Sequence, residues 1–249
     1  MPKPTLGADP HERLIRKLET IGELSRADRQ AVERLPLRIE AVEENADTVE
    51  EGDTPSECFM VVEGFIARYK LLGAGQRQIF SFHLPGDIPD LQSLRLVVMD
   101  HSLAALTPCR LAFISHGALN ELLDVNPGLA ALFWRDTLID AAIFREWLAG
   151  VGRRSAYQRI AHLFCEVYCR LKCLGLAEAW RFELPITQVE LADSLGLSSV
   201  HVNRVLQDLR RDGLIVSHAN STQIRDWARL KAAGDFDPGY LHLRVDPNG

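Results

Sequence analysis

The amino-acid sequence predicts an α+β fold, with an antiparallel β domain first, one long helix next and a helical domain last. Three observations predict it. Short apolar runs broken by Gly, Pro and Asp fill residues 41–113, the apolar period lengthens to that of a helix over 116–150, and two capped helices flank a glycine within 187–209. Short strands at this spacing are typical of an antiparallel barrel or sandwich rather than of alternating strand–helix units.

Composition narrows the class of protein. The chain has 249 residues, 47% of them hydrophobic and 25% charged, which suits one large domain or two ordinary ones. No apolar run approaches the roughly 18–20 residues needed to cross a bilayer, and the N-terminus lacks the apolar core of an export signal. Five cysteines, an odd number in a long chain, fit a reducing compartment better than a disulfide framework. We therefore expect a cytoplasmic protein with no membrane partner.

Charge is distributed unevenly along the chain. Residues 1–150 contain 15 Lys and Arg against 23 Asp and Glu, a net charge of −8, whereas residues 151–249 contain 13 against 11, a net charge of +2. The C-terminal part is therefore the better candidate to approach a phosphate backbone.

The elements before the long helix follow from periodicity and turn residues. Residues 11–35 carry apolar side chains at helical spacing and predict one or two amphipathic helices. The strand-forming runs that follow are "CFMVVEG", "FIARYKLL", "RQIFSFHL" and "CRLAFIS". Turns are predicted between them at residues such as Gly64 and Pro85-Gly86-Asp87.

A long helix is predicted from about Pro127 to Leu148, closed by Gly150. Its apolar residues cover an unusually broad arc, which fits either a buried core helix or a seam between two chains, and the sequence leaves both open. The run "GVGRRSA" then predicts a hinge at Gly150-Val151-Gly152, with Ser155 as the N-cap of the next helix.

The stretch "LADSLGLSSVHVNRVLQDL", residues 191–209, predicts two helices packed across a turn. Thr187 and Glu190 have the spacing of a capping box, so the first helix begins there. Gly196 can adopt a positive φ cheaply and ends that helix, and Ser198 caps the second one.

Small and apolar residues in this stretch follow the helix-turn-helix pattern. Ala192 is small where the helices must touch, Gly196 makes the turn, and Val202 is the apolar contact from the second helix. The runs "RRDGLI" and "TQIRDW" that follow predict a β-wing.

The outer face of the second helix predicts contact with double-stranded DNA, although a merely solvated polar face is the alternative. Short side chains at the start of the helix would allow it to enter a major groove about 12 Å wide. Arg204 can fork onto guanine O6 and N7, Asn203 can read adenine or bind phosphate, and Val200 can lie against a thymine methyl. Three polar residues are better placed to fix the DNA backbone: His201, Thr187 and Gln188. The predicted DNA-binding residues are Thr187, Gln188, Ser198, Ser199, Val200, His201, Asn203, Arg204 and Gln207.

With these elements in this order, the chain resembles the CRP/FNR family of transcription regulators from about Leu18 to Ile224. The motifs that carry the resemblance are "EEGD" at 50–53, "MVVEG" at 60–64, "LPGD" at 84–87, "LAFIS" at 111–115, "VNP" at 125–127 and "RIAHLF" at 159–164, besides the helix-turn-helix itself. The resemblance implies an antiparallel β-roll (jelly-roll-like) sensor domain, a long dimerisation helix and a winged helix-turn-helix domain. The ranges expected for them are 1–125, 126–150 and 151–249.

The resemblance also implies a function. We expect a homodimer that reads an inverted repeat in promoter DNA, with its two recognition helices roughly one DNA turn apart. RNA polymerase is the expected further partner. The recognition helix is expected at about Ser198–Leu209, with a guanine in each half-site read by Arg204, while activation or repression is left open.

Departures from the family pattern bear on the effector. Cyclic-nucleotide binders of this fold hold ribose and phosphate with a Gly-Glu segment and a following Arg-Ser. Here Asp90 stands at the Glu position, and His101, followed by Ser102, stands at the Arg position. A neutral histidine beside Asp100 substitutes poorly for a guanidinium facing a cyclic phosphate, although Arg95 is nearby. Asp90, His101 and Ser102 are the candidate residues of a pocket for an unknown effector. A cyclic-nucleotide-responsive regulator stays an alternative.

Cysteines and histidines suggest no cofactor. Residues 1–57 contain no cysteine, which argues against the iron–sulfur cluster of the oxygen-sensing branch. Three cysteines lie on one helix face at i, i+4 and i+8, where either a thiol redox switch or a soft metal site is possible but a buried apolar lining is favoured: Cys165, Cys169 and Cys173. Cys58 and Cys109 are expected in the core. Three histidines in or beside strands are not expected to bind haem or metal: His83, His101 and His116.

Two further functions are weighed against the regulator. One is an enzyme with an appended DNA-binding domain, but no nucleophile elbow, phosphate loop, zinc helix or paired-cysteine motif occurs, so no catalytic residue is predicted. The other is a ligand-binding or interaction module whose helix-turn-helix serves only for packing.

Overall fold

The computed structural model describes residues 9–244 of the chain, which form two compact units. One unit comprises the described residues up to Tyr69 together with Phe82–Leu138, and the other comprises Lys70–Ser81 together with the described residues from Ile139 onwards. The outer ends of the expected ranges 1–125 and 151–249 lie outside the described residues, and those domain ranges stay predictions. Within residues 9–244, no helix has both the length and the apolar character needed to cross a membrane.

In the first part of the chain two helices come first, a run of antiparallel strands follows, and a third helix comes after the strands. The elements are α1 (Pro10–Ile21), α2 (Arg26–Glu33), β1 (Arg38–Val42), β2 (Asp47–Val49), β3 (Glu57–Glu63), β4 (Ile66–Leu71), β5 (Arg77–His83), β6 (Ser102–Ala105), β7 (Cys109–Ser115) and α3 (His116–Val125). The region predicted as one or two helices is two, because Ser25 and Asp28 form a capping box that starts α2. The strands form two sheets of order β1-β7-β3 and β2-β6-β4-β5.

Strand β3 is buried on both of its faces, which explains its continuous apolar run "CFMVV". Phe59 and Val61 point to a core shared with residues of β6 and β7, inside the roll. Cys58, Met60 and Val62 point the other way, into a second core built with α1, α2 and α3. The β domain therefore has an inner core and a helix-covered outer core.

A partly buried ion triad ties the N-terminal helix to this unit. The Lys17 ammonium lies 2.6 Å from Asp87 Oδ1 and 3.2 Å from Asp136 Oδ1. Asp87 belongs to the "LPGD" turn, where its other oxygen accepts the Leu84 N–H at 2.8 Å. One ammonium thus lies between two carboxylates, which offsets part of the free-energy cost of removing these charges from water.

The long helix α4 (Pro127–Arg153) extends further than the sequence predicted. Gly150 does not close it and the predicted hinge at Gly150-Val151-Gly152 is wrong, because these residues are helical and the Arg154 N–H still bonds to the Gly150 carbonyl at 2.9 Å. Two helical glycines cost about 1 kcal/mol each relative to alanine, which packing of a long helix readily overcomes. The helix ends at Arg153, and Ser155 caps its successor as predicted.

The C-terminal part is a helical domain with a three-stranded wing. Its elements are α5 (Ala156–Cys173), β8 (Arg181–Glu183), α6 (Gln188–Leu195), α7 (Ser199–Arg211), β9 (Ile215–His218), β10 (Ser221–Ile224) and α8 (Trp227–Ala233), followed by a 3₁₀ turn at Pro238–Leu241. The predicted wing is present as β9 and β10, joined by β8 in the sheet order β8-β10-β9. Residues 70–81, the tip of the β4–β5 hairpin, pack in this unit, where Arg77 Nε donates to Asp193 Oδ2 at 2.9 Å.

Candidate nucleic-acid interface

The two helices α6 and α7 are set by caps at their N-termini and by a left-handed residue between them. Thr187 Oγ1 accepts the Glu190 N–H at 3.2 Å, and the Glu190 carboxylate accepts the Thr187 N–H at 2.6 Å. Gly196 has φ = +63°, a conformation that a side chain would strain. Ser198 Oγ then accepts the His201 N–H at 3.2 Å and starts α7.

The inner face of α7 is buried and its outer face is open. Four apolar residues at helical spacing are buried: Val202, Val205, Leu206 and Leu209. Ala192 of α6 is buried too, in keeping with a close approach of the two helices. By contrast Val200, in the first turn of α7, is 71% exposed.

Six of the nine predicted DNA-binding residues line one open groove of about 410 Å³. They are Gln188, Ser199, Val200, Asn203, Arg204 and Gln207. Within it, Asn203 Nδ2 donates to Gln188 Oε1 at 3.0 Å and Gln207 Nε2 donates to Asn203 Oδ1 at 2.8 Å. This chain of amides holds Asn203 in one orientation and leaves the exposed Arg204 guanidinium beside it.

The other three predicted residues lie outside the groove lining. The hydroxyls of Thr187 and Ser198 are engaged in the helix caps, so a contact with phosphate would have to share them with the backbone. His201 is exposed at the first turn of α7.

Two features of this surface escaped the sequence argument. The Gln188–Asn203 hydrogen bond joins residues 15 positions apart, and no spacing rule reports such a pair. The wing was predicted as an element without any site residue, yet residues 218–220 at its tip are exposed. The alternation of apolar and polar residues in "IVSH", with the turn between the two strands, could have predicted that these residues are exposed.

Two protein-family models match the chain. The one described as a cyclic nucleotide-binding domain matches residues 40–126, and the one described as a Crp-like helix-turn-helix domain matches residues 158–233. The transcriptional activator protein FnrL of Cereibacter sphaeroides is 30% identical over 195 residues, which cover 76% of this chain and 78% of that protein. The chain belongs to the CRP/FNR family of transcription regulators.

Other members of the family agree in sequence and in fold. The nitrogen fixation regulation protein FixK of Bradyrhizobium diazoefficiens is 29% identical over 221 residues, which cover 88% of this chain and 90% of that protein. The solved structure of FixK2 from Bradyrhizobium japonicum superimposes with a TM-score of 0.73 at 26% identity, over 80% of this chain and 98% of that one. The β-roll, the long helix and the winged helix-turn-helix of the CRP/FNR fold are therefore all present, and the helix-turn-helix domain implies DNA binding.

Of the three residues predicted for a family-type effector pocket, one lines a groove that the other two do not line. Asp90 lies on the wall of a groove of about 430 Å³, together with residues such as Asp53, Glu57 and Phe113, but neither His101 nor Ser102 is part of that lining. Asp90 is buried, and its Oδ1 accepts the Phe59 N–H at 3.0 Å. Burial raises the pKa of the Asp90 carboxyl to about 7, against the opposing effect of its hydrogen bonds.

His101 and Ser102 are engaged in the surrounding structure. His101 Nδ1 lies 2.6 Å from Asp100 Oδ1, and its Nε2 lies 3.2 Å from Gln92 Nε2. Ser102 Oγ accepts the Glu51 N–H at 2.9 Å. Arg95, the cation nearest in sequence, donates to Asn120 Oδ1 at 2.7 Å. None of these groups is arranged here as a fixed guanidinium for a cyclic phosphate.

The helix α5 cysteines face the interior. Cys165 and Cys169 are buried and Cys173 is half-buried, and all are free thiols. Burial raises the pKa of each of these three thiols, so the reactive thiolate is a small fraction at neutral pH. Cys58 and Cys109 are buried core residues as expected, and burial raises the pKa of the Cys58 thiol to about 12.

The three histidines considered as ligands each have a polar neighbour in the β domain. His83 Nδ1 lies 3.9 Å from Asp87 Oδ2, and His116 Nε2 lies 3.0 Å from Ser93 Oγ, while His101 is held as described above. Among residues 9–244, no group of three His, Cys, Asp or Glu side chains is placed to hold a metal ion.

Proposed function

We propose that this protein is a homodimeric, sequence-specific regulator that inserts α7 of each chain into the major groove of an inverted repeat in promoter DNA. The protein acts in the cytoplasm, where its DNA is, and RNA polymerase is its further partner. In this arrangement the guanidinium of Arg204 binds a guanine of each half-site with two hydrogen bonds. The hydrogen-bonded side-chain amides of Gln188, Asn203 and Gln207 make the neighbouring contacts with the DNA.

The observation that carries this proposal is the outer face of α7. A helix end with short side chains, an exposed Val200 and a cation one turn later suits a base-pair edge better than bulk water. The buried inner face and the caps hold that helix rigidly, so its side chains are presented in a defined order.

A second observation supports the homodimer. Along α4, residues at spacings of four and three form a stripe of exposed apolar side chains that also contains one exposed arginine and one half-buried alanine: Trp134, Leu138, Ala141, Arg145 and Leu148. Trp134 and Leu148 are each 65% exposed in the single chain. A heptad stripe of this kind is what two parallel helices bury against each other.

The alternatives have less support. The engaged His101 and the absence of a guanidinium in the Asp90 groove lining weigh against a cyclic-nucleotide-responsive regulator. A thiol redox switch at α5 is disfavoured because Cys165 and Cys169 are buried, Cys173 is half-buried, and burial raises the pKa of all three thiols. The similar proteins are transcriptional regulators, which leaves an enzymatic role without a supporting observation.

Selection of bound duplexes from a random pool by the full-length protein tests the proposal. We expect enrichment of an inverted repeat with a guanine in each half-site, and an affinity that falls steeply with salt. Arg204→Ala should weaken binding by about 1–3 kcal/mol and relax the preference at that guanine, whereas Arg204→Lys should keep the salt dependence and weaken the guanine preference less than Arg204→Ala does, because an ammonium lacks the planar fork of a guanidinium.

The control is Arg34→Ala, which removes an exposed arginine at the end of α2. It should bind the selected duplex as the wild type does. If no sequence is enriched, or if Arg204→Ala behaves like Arg34→Ala on the selected site, the groove-reading role proposed for α7 is wrong.

A further inference from the structure

A wholly buried carboxylate lies where three segments of the C-terminal unit meet. Glu166 of α5 has no exposed surface. Its Oε2 accepts the Trp147 indole N–H at 3.0 Å and the Tyr240 hydroxyl at 2.7 Å, and its Oε1 lies 3.3 Å from an Arg170 nitrogen. A buried charge is tolerated only with such partners, and losing one leaves an uncompensated group.

The same tyrosine also engages the preceding turn of α5. His162 Nε2 lies 3.0 Å from the Tyr240 oxygen, and the two rings stack with centroids 5.8 Å apart. His162 Nδ1 lies 3.1 Å from the Gly234 carbonyl oxygen, so its ring is held from both sides by the segment that follows α8. Phe236 adds an edge contact to the His162 ring at 5.1 Å.

This segment lies past the part of the chain that matches the helix-turn-helix family model, which ends at residue 233. We call Gly234–Leu241 the C-terminal clamp. Through Glu166 it is joined to Trp147, in the last turns of α4, and Arg154 at the α4–α5 junction donates to the Asp235 carbonyl at 3.3 Å. The clamp therefore contacts both sides of the α4–α5 junction.

The α4–α5 junction matters because of what each helix carries. The apolar stripe of α4 is the proposed dimer seam, and α5 is the helix on which α7 packs. The direction of α4 relative to α5 sets where α7 lies relative to the twofold axis. In a dimer this direction fixes the distance between the two recognition helices, and hence the half-site spacing that both can occupy at once.

We propose that the C-terminal clamp fixes the α4–α5 angle, and that Tyr240 and Glu166 are positioning residues for recognition of two half-sites at one spacing. The inference rests on the proposed function, since it requires a dimer that reads an inverted repeat. It assigns no DNA contact to the clamp. The clamp changes the free energy of binding both half-sites at once, and it leaves the free energy of binding a single half-site unchanged.

The test compares three duplexes: the selected inverted repeat, a single half-site, and the repeat with one base pair inserted between its halves. Tyr240→Phe keeps the ring and its stacking on His162 but removes the hydroxyl that Glu166 accepts. We expect it to bind the selected repeat about 5- to 20-fold more weakly, to bind the half-site within about twofold of the wild type, and to lose much of the penalty for the inserted base pair. Glu166→Gln should change binding in the same direction.

The matched control is Tyr69→Phe, which removes another tyrosine hydroxyl that donates to a carboxylate, Asp47, at 2.8 Å. It should behave as the wild type on all three duplexes. The proposal is overturned if Tyr240→Phe and Glu166→Gln match the control, or if they weaken half-site and repeat binding equally, as a loss of stability would. A wild type that does not prefer the repeat to the half-site contradicts the proposed function itself, and this is seen before any variant is made.

Discussion

At the scale of single residues, Asp90 illustrates how burial determines the protonation state of a carboxyl. It is enclosed near β3 with its Oδ1 on the Phe59 N–H, and its pKa is raised to about 7 from an ordinary value of 3.8. The folded state therefore holds the proton more tightly than the unfolded state does. The free energy of unfolding is lost as the pH rises from about 4 through about 7.

Replacing Asp90 by Asn should remove this pH dependence, because the amide oxygen can still accept the Phe59 N–H but carries no charge. We expect Asp90→Asn to gain about 2 kcal/mol of unfolding free energy relative to the wild type between pH 5 and pH 8. Urea unfolding at the two pH values measures the difference. A difference that is the same at both values would show that Asp90 does not titrate in this range.

At the scale of elements, the turn between α6 and α7 depends on one backbone conformation. Gly196 has φ = +63°, and a Cβ there would meet nothing closer than 3.9 Å, so the cost of a side chain comes from the backbone alone. Gly196→Ala should lower the midpoint of thermal unfolding, corresponding to a loss of about 1–2 kcal/mol.

Gly152→Ala is the matched control, since Gly152 is helical and a Cβ there meets nothing within 4 Å. It should raise stability by about 0.5–1 kcal/mol. Circular dichroism melting curves compare the two variants. Equal shifts in the same direction would contradict the assignment of Gly196 to the turn and Gly152 to the helix.

These two glycines also mark how far the sequence could predict the elements. Gly196 was identified because a capping box precedes it and a new cap follows it, so local rules agree. Local propensity disfavours glycine in a helix and so predicts a hinge that includes Gly152, whereas packing along α4 overrides that preference. Strand β1 was missed for a related reason, because its side chains are mostly exposed and backbone pairing with β7 defines it.

Some residues of the candidate sites could likewise be predicted from the sequence and others could not. The outer face of α7 could be predicted because helical periodicity alone assigns residues to a face. The trio Asp90, His101 and Ser102 follows from the family resemblance, which assigns positions in the sequence but does not determine the direction of each side chain. The Tyr240–Glu166 bond joins residues 74 positions apart and could be found only in the folded chain.

At the scale of the whole molecule, α4 is the element on which assembly of two chains depends. Its exposed stripe leaves Trp134 and Leu138 in water in a single chain, which is unfavourable for large apolar side chains. In the proposed dimer each Leu138 faces the partner helix near the twofold axis. A charge introduced there would be buried against its own copy.

Leu138→Glu should therefore raise the dimer dissociation constant by on the order of 100-fold, measured by sedimentation equilibrium. Val125→Glu is the control, because Val125 is 73% exposed and apolar but lies at the end of α3, off the stripe. It should stay dimeric. Leu138 is far in sequence from the outer face of α7, so the affinity of Leu138→Glu for a single half-site should be unchanged. Binding of this variant to the inverted repeat should depend more steeply on protein concentration, because its two chains dimerise only on the DNA. A Leu138→Glu protein that remains a dimer at nanomolar concentration would place the seam elsewhere on the surface.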